Sequence, residues 1–436
     1  VSKNTKKMNM KNRKALVIFI STLVVILSGC GKASWDSYKG QLLGSKDRPG
    51  WAPITPYGMV YVPTGVLHIG PSDQDINNAQ VARSKEVSIQ GFYMDETEIT
   101  NNEYRQFVDY VRDSIAHTIL EHYIDEEIPG SDKQAINWEE ELDWTDPEVA
   151  EQLEGMYSKD GMKFLGVRDM DVSTLVYHYY WFDWKTAALL ENRWKDRAQF
   201  FHEENIRVYP DTLVWVRDFT YSYNEPMTRN YYGHPSFDDY PVVGINWDQA
   251  NAFNDWRTKF WANYRIKLGE PVMDIFRLPT ESEWEYAARG GKKLAQYPWG
   301  GPYVRNAKGC ILANFKPGRG NYPEDGGFYT VRGDAYWPND YGLYNMAGNV
   351  AEWTSSAFYE NATMFVHDLN PDIRYDADDS EAESLKRKTT RGGSWKDIAH
   401  YIQCGTRHWE YADTSNSYIG FRSITTYLGR DPKDKQ

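Results

Sequence analysis

The sequence predicts an α+β fold with much irregular backbone, and three observations carry that expectation. Short apolar runs bounded by Gly and Pro are interleaved with helices that open on capping-box signatures. Aromatic residues are abundant, with 17 Trp and 32 Tyr in 436 residues, and such rings suit a fold whose polar loops must be covered. Only three cysteines are present, too few for a stapled scaffold, so core packing must hold the chain together.

The elements follow in order. Lys3, Lys6, Lys7, Lys11, Arg13 and Lys14 precede Ala15–Leu27, an apolar stretch of thirteen residues. That length suits a signal h-region and is short for a membrane span. Leu27-Ser28-Gly29-Cys30 then resembles a bacterial lipobox, in which the Cys30 thiol accepts a diacylglycerol. Residues 1–29 are therefore expected to be a lipoprotein signal peptide, and residues 30–56, rich in Gly, Pro and Ser, a lipidated tether. Gly31 follows Cys30 where an inner-membrane lipoprotein often carries Asp, so the expected location is the outer membrane, lipid-anchored, on its periplasmic face. Losing the six positive charges of residues 1–29 takes the net charge from −13 to −19, which argues against nucleic-acid binding.

The globular part is expected over 57–428, followed by a tail at 429–436. Gly58–Pro63 and Gly65–Gly70 read as strands, and Gly91–Ile99 as a third. Thr100-Asn101-Asn102-Glu103 is a capping box, after which Tyr104, Phe107, Val108 and Val111 recur at the helical period. A second helix begins at Asn246 and turns Ala250, Phe253 and Trp256 inward. Pro279 ends a strand at Phe276-Arg277-Leu278, Thr280 with Glu283 caps a third helix, and Gly290-Gly291 ends it.

Between the first two helices lies an insertion at about 116–238, acidic in its first half and aromatic in its second. Tyr177–Trp184 is its aromatic run, and a helix carrying Ala187, Leu190, Trp194 and Phe200 is expected to follow. The insertion is either a helical subdomain packed on the parent fold or a binding surface. Tyr179, Tyr180, Trp181, Trp184 and Trp194 are the candidate partner-binding residues. Asp372–Glu383 carries six carboxylates but lacks the glycine and glutamate of an EF-hand, so it reads as a solvated loop. His117 and His122 stand five apart, a poor helical spacing for sharing a metal, and read as surface or packing histidines, as do His400 and His408.

Four blocks carry a resemblance: Arg277–Gly291 (RLPTESEWEYAARGG), Gly342–Trp353 (GLYNMAGNVAEW), Arg391–Trp395 (RGGSW) and Gly420-Phe421-Arg422. Together they resemble the sulfatase-modifying factor family, related in fold to the C-type lectins, whose active members are formylglycine-generating enzymes. In those oxidases two loop cysteines bind copper, and soft thiolates are what hold Cu(I). The matching positions here hold Asp397 and Ile402, vacant of thiol, so the expectation is a pseudoenzyme without catalytic residues. Cys310 and Cys404 remain, enough for one disulfide in an oxidising compartment.

The resemblance also implies structural calcium. One set would be Asn345 and Glu352 side chains with the Gly348 and Val350 carbonyls; a second would be Asn314, the Phe315 carbonyl and Asp325. A lipobox, the full scaffold and the aromatic insertion resemble most the K-type ring lipoproteins of gliding motility and type IX secretion (the GldK/PorK group). This implies protein transport machinery: an N-type periplasmic ring protein (GldN/PorN-like) as partner, and self-association into a ring complex. The alternatives are a formylglycine-generating-type oxidase and a lectin-like glycan-binding lipoprotein.

Overall fold

The computed structural model describes residues 53–69, 84–127, 134–159, 169–221, 225–318, 326–377 and 380–429. Cys30, the signal segment and Asp325 lie outside the described residues. Strands β1 (Met59–Val62), β2 (Gly65–Ile69), β3 (Lys85–Ile89) and β4 (Phe92–Asp95) open the domain. The third expected strand is shorter than its apolar pattern, ending at Asp95, and β3 was not foreseen. It pairs antiparallel with β2 from Gly65↔Ile89 to Ile69↔Lys85, which buries Leu67, Ile69, Val87 and Ile89.

Three helices frame the core, and all three open on capping boxes. Two of the boxes were expected from the sequence; the third, at Asn246, lies on a helix start that was expected without its box. Helix α1 (Asn101–Ile119) is capped by Thr100 and Glu103, α2 (Trp247–Lys267) by Asn246 and Gln249, and α3 (Glu281–Ala288) by Thr280 and Glu283. Each box satisfies two otherwise unpaired backbone donors, which sets where the helix starts. Thr100→Ala and Thr280→Ala are expected to cost about 1 kcal/mol each in chemical denaturation, with Thr280→Ser close to neutral. The apolar face of α1 packs on α2: the Tyr104 ring stacks on Phe253 at 5.7 Å, and Phe107 lies 5.4 Å from Trp256. Tyr104 also donates its hydroxyl to the Val208 carbonyl at 2.9 Å, so burial leaves its polar end satisfied.

The insertion departs from the expected helical subdomain. Strands β5 (Tyr123–Glu127) and β6 (Gln134–Ile136) form one ribbon, and β7 (Val176–Phe182) and β8 (Phe201–Arg207) a longer one. In place of one helix over Ala187–Phe200, three short turns run Trp184–Ala187, Leu190–Asn192 and Arg197–Phe200. Asp183 accepts from the Thr186 amide and Asp196 from the Ala198 amide. These side chains compete for the backbone and restart the chain twice within what had read as one helical period.

Two four-stranded sheets complete the domain. One has the order β1-β4-β14-β9, with β9 Phe276–Arg277 and β14 Ile424–Thr426. The other has the order β12-β11-β10-β13, with β10 Ala351–Ala357, β11 Arg387–Arg391, β12 His408–Tyr411 and β13 Ile419–Gly420. Only β10 and β13 run parallel in these sheets. Among the described residues no helix is long and apolar enough to cross a membrane.

Candidate functional site

The motif blocks converge on a buried charge network. Arg422, just before β14, donates Nε and Nη2 to the two carboxylate oxygens of Glu352 on β10, both at 2.7 Å. Its remaining hydrogen bonds go to the carbonyls of Asp95 (3.1 Å), Glu96 (3.4 Å) and Tyr344 (2.9 Å). Trp284 on α3 donates its indole N–H to Glu352 at 2.6 Å. Side chains of Arg422 and Glu352 are 0% and 1% exposed, so the bidentate pair is fully desolvated.

Glu98, between β4 and α1, is also fully buried. It accepts from the side-chain amides of Asn345 (3.2 Å) and Asn349 (3.0 Å). Burial pushes its carboxyl up to about 8, with Glu352 adding to the rise and Arg422 opposing it. Both asparagines sit at positive φ, 50° and 64°, a conformation that Asn tolerates through local hydrogen bonding. Between them Gly348 has φ 79°, and a Cβ there would lie 2.2 Å from the Asn314 carbonyl oxygen. Glu98 was not singled out from the sequence, because its partners come from residues 345–352 and 422 and nothing nearby marks it.

This network tests the calcium set. Glu352 already faces a guanidinium with both oxygens hydrogen-bonded, so a divalent cation there would displace its partner or sit beside a like charge. Asn345 donates to the Gly333 carbonyl at 2.9 Å, serving the turn. Paired with Arg422 in this way, Glu352 does not fit a calcium ligand. In the second set Asn314 donates to the Tyr329 carbonyl at 2.6 Å and Phe315 is buried, while Asp325 is outside the described residues.

A second buried ion cluster supports the RGGS loop. Arg391 pairs with Glu285 of α3 and donates to the Thr406 carbonyl at 2.7 Å. Glu285 also receives Arg289 at 2.6 Å. Gly393 has φ 65°, and a Cβ there would meet the Tyr401 carbonyl at 2.7 Å, so only glycine fits this close loop crossing. Beyond it Asp397 accepts from the Ser394 amide (2.8 Å) and hydroxyl (2.6 Å), closing a tight turn. Ile402 is fully buried with Tyr297, Ala313, Phe315 and Ala347. The expected thiol positions thus hold a turn carboxylate and a core aliphatic side chain. Cys310 and Cys404 are both free; Cys310 is exposed, and burial pushes the Cys404 thiol up to about 12.

Strand alternation divides the aromatic residues of the insertion. Tyr177, Tyr179 and Trp181 share the inward face of β7; Tyr177 donates its hydroxyl to Asp255 at 2.8 Å, and Trp181 its indole N–H to Glu204 at 3.0 Å. Tyr179, at 8% exposed, is core and is withdrawn as a partner-binding residue. Tyr180, Trp184 and Trp194 are exposed, Trp184 at 78% and Trp194 at 87%, and Leu190 stands out with them at 82%. In the acidic loop, Asp376 pairs with Lys388 and Asp372 with Arg374, so these two carboxylates are engaged locally.

Comparison with known proteins adds the following. Residues 48–427 match the family "Sulfatase-modifying factor enzyme 1-like domain". A formylglycine-generating enzyme of Bos taurus is 27% identical over 388 residues, covering 87% of this chain and 78% of the relative. The inactive C-alpha-formylglycine-generating enzyme 2 of Bos taurus is 34% identical over 200 residues, 44% of this chain and 52% of that one. Among solved structures, PvdO from Pseudomonas aeruginosa overlays with a TM-score of 0.46 at 15% identity, covering 87% of this chain and 99% of that one. These findings overturn the expectation that the chain is not an enzyme, since a relative matched over most of its length is named as a formylglycine-generating enzyme.

Proposed function

The chain belongs to the sulfatase-modifying factor enzyme 1-like domain family, and we propose that it serves as a lipid-anchored outer-membrane protein that assembles with an N-type periplasmic partner into a ring of the gliding and type IX secretion kind. The observation that carries this reading is the outward face of the insertion. Trp184, Leu190 and Trp194 stand 78–87% exposed on short turns at the end of the β7–β8 ribbon, with Tyr180 on the strand leading to them. Rings of this size are costly to leave in water, and Trp and Tyr dominate the anchors of protein interfaces. Attachment through Cys30 would confine copies to one surface, and contacts that close by rotation would then make a ring.

The test is co-purification of the lipidated chain with the N-type protein. Trp184→Ala combined with Trp194→Ala is expected to weaken capture at least about 30-fold, as loss of about 2 kcal/mol or more would do. Both side chains are exposed, so the variant is expected to melt as the wild type does. Substitutions at Glu381 and Glu383 in the acidic loop are expected to change little. A folded double variant that keeps its partner and its rings would place the binding surface elsewhere.

A second reading, formylglycine-generating-type oxidation of a cysteine in a sulfatase peptide, is favoured by the bovine relative matched over most of the chain. Incubating the purified chain with such a peptide and weighing the product separates the two readings.

A further inference from the structure

The end of α1 brings together two histidines that the helical period keeps apart. Leu120 caps the helix, and Glu121 follows at φ 56°. The His122 amide then donates to the His117 carbonyl at 3.0 Å, and the Glu121 amide to the Thr118 carbonyl at 3.4 Å. This is the 6→1 and 5→2 pattern of a Schellman turn, which folds the residue two past the cap over the last helical turn. An apolar contact usually fills that place. Here the His117 and His122 Nδ1 atoms lie 3.1 Å apart.

A third donor arrives from the returning ribbon. The Asn137 amide donates to the His122 carbonyl at 2.9 Å, which carries the chain back past the helix end. Glu140 then approaches the His122 Nδ1 with Oε2 at 3.4 Å. Trp138 packs edge-on against His117, the rings 5.3 Å apart.

From this juxtaposition we propose that His117, His122 and Glu140 form a binding site for a divalent transition-metal ion of the zinc type. Two nitrogens bound to a tetrahedral zinc at 2.0–2.1 Å stand about 3.3 Å apart, within a few tenths of an ångström of the separation found. The three side chains do not already enclose one point, and no group of three His, Cys, Asp or Glu does so among the described residues. Rotation of the Glu140 carboxylate, half exposed and tied to the protein mainly through His122, would complete the set with water as the fourth ligand. Neutral imidazole is the form that ligates. Bound metal would pin the β5–β6 ribbon to the end of α1, at the edge of the insertion.

Equilibrium dialysis and calorimetric titration of the full chain with zinc chloride test the site, with melting temperature as an independent readout. One saturable site is expected, together with a rise in melting temperature on adding zinc. His122→Ala, which removes a half-buried ring from the surface of the turn, is expected to abolish both. Glu140→Gln leaves the fold untouched and is expected to weaken binding at least about tenfold. Absence of saturable zinc binding by the wild type would overturn the proposal. So would wild-type affinity in His122→Ala, which would assign the metal to other histidines.

Discussion

Glu352→Gln is expected to lower the unfolding free energy by about 3–5 kcal/mol, the cost of stranding a buried charge. The Arg422 guanidinium stays in the core with the Asp95, Glu96 and Tyr344 carbonyls, and no hydrogen-bonded carboxylate, left to meet its charge. The Trp284 indole loses the carboxylate to which it donates. The denaturant midpoint measures the loss, and a change below about 1 kcal/mol would mean the pair is not desolvated as described. Replacing both partners, as Glu352→Leu with Arg422→Met, is expected to cost less than the two single changes summed. Each single change leaves the other charge buried and unpaired; the double variant buries neither charge, and only the Trp284 indole N–H still lacks its acceptor.

The second large effect is on pH dependence. Glu98 has a folded-state carboxyl raised to about 8, against an ordinary value of 4.5. The folded chain therefore holds a proton that the unfolded chain releases. Stability from this group is fully present below the unfolded value and is lost as pH rises through the folded one. The unfolding free energy is expected to fall between about pH 5 and pH 8, by up to about 1.4 kcal/mol per pH unit. Glu98→Gln, which mimics the protonated acid, is expected to flatten that slope and to be more stable than the wild type at pH 8. A wild-type profile that is level over this range would show that Glu98 is ionised in the fold.

What the sequence made legible was local. The capping boxes at Thr100 and Thr280 lie within four residues each, and their helices begin where they predict; the start at Asn246 is legible too, and Gln249 completes a box there. The strand at Lys85–Ile89 was missed because its Lys, Glu and Ser alternate with only two apolar side chains, and its identity depends on pairing with Gly65–Ile69. The expected helix over Ala187–Phe200 failed because Asp183 and Asp196 each cap a new turn, and local side-chain hydrogen bonds outweighed periodicity. Tyr177–Trp184 was marked as aromatic, yet only the pairing of β7 with β8 decides which rings face inward.

The site was legible in composition and not in wiring. Glu352 was marked as an oxygen donor, and its partner Arg422 stood in a separate block 70 residues away. His117 and His122 were set aside on helical geometry, which stops applying once Glu121 adopts a left-handed backbone. Asp397 and Ile402 are placed as a turn carboxylate and a core side chain, in keeping with their chemistry and without bearing on what the rest of the fold can do.

The most direct test of the account is the mass of the complex recovered when the full lipidated chain is purified from membranes with the N-type protein. The account predicts a large multi-copy assembly containing both proteins, and its loss in the Trp184→Ala, Trp194→Ala variant while that variant still melts normally. Recovery of the wild-type chain as a single folded copy with no partner, converting a sulfatase cysteine peptide to formylglycine, would contradict it.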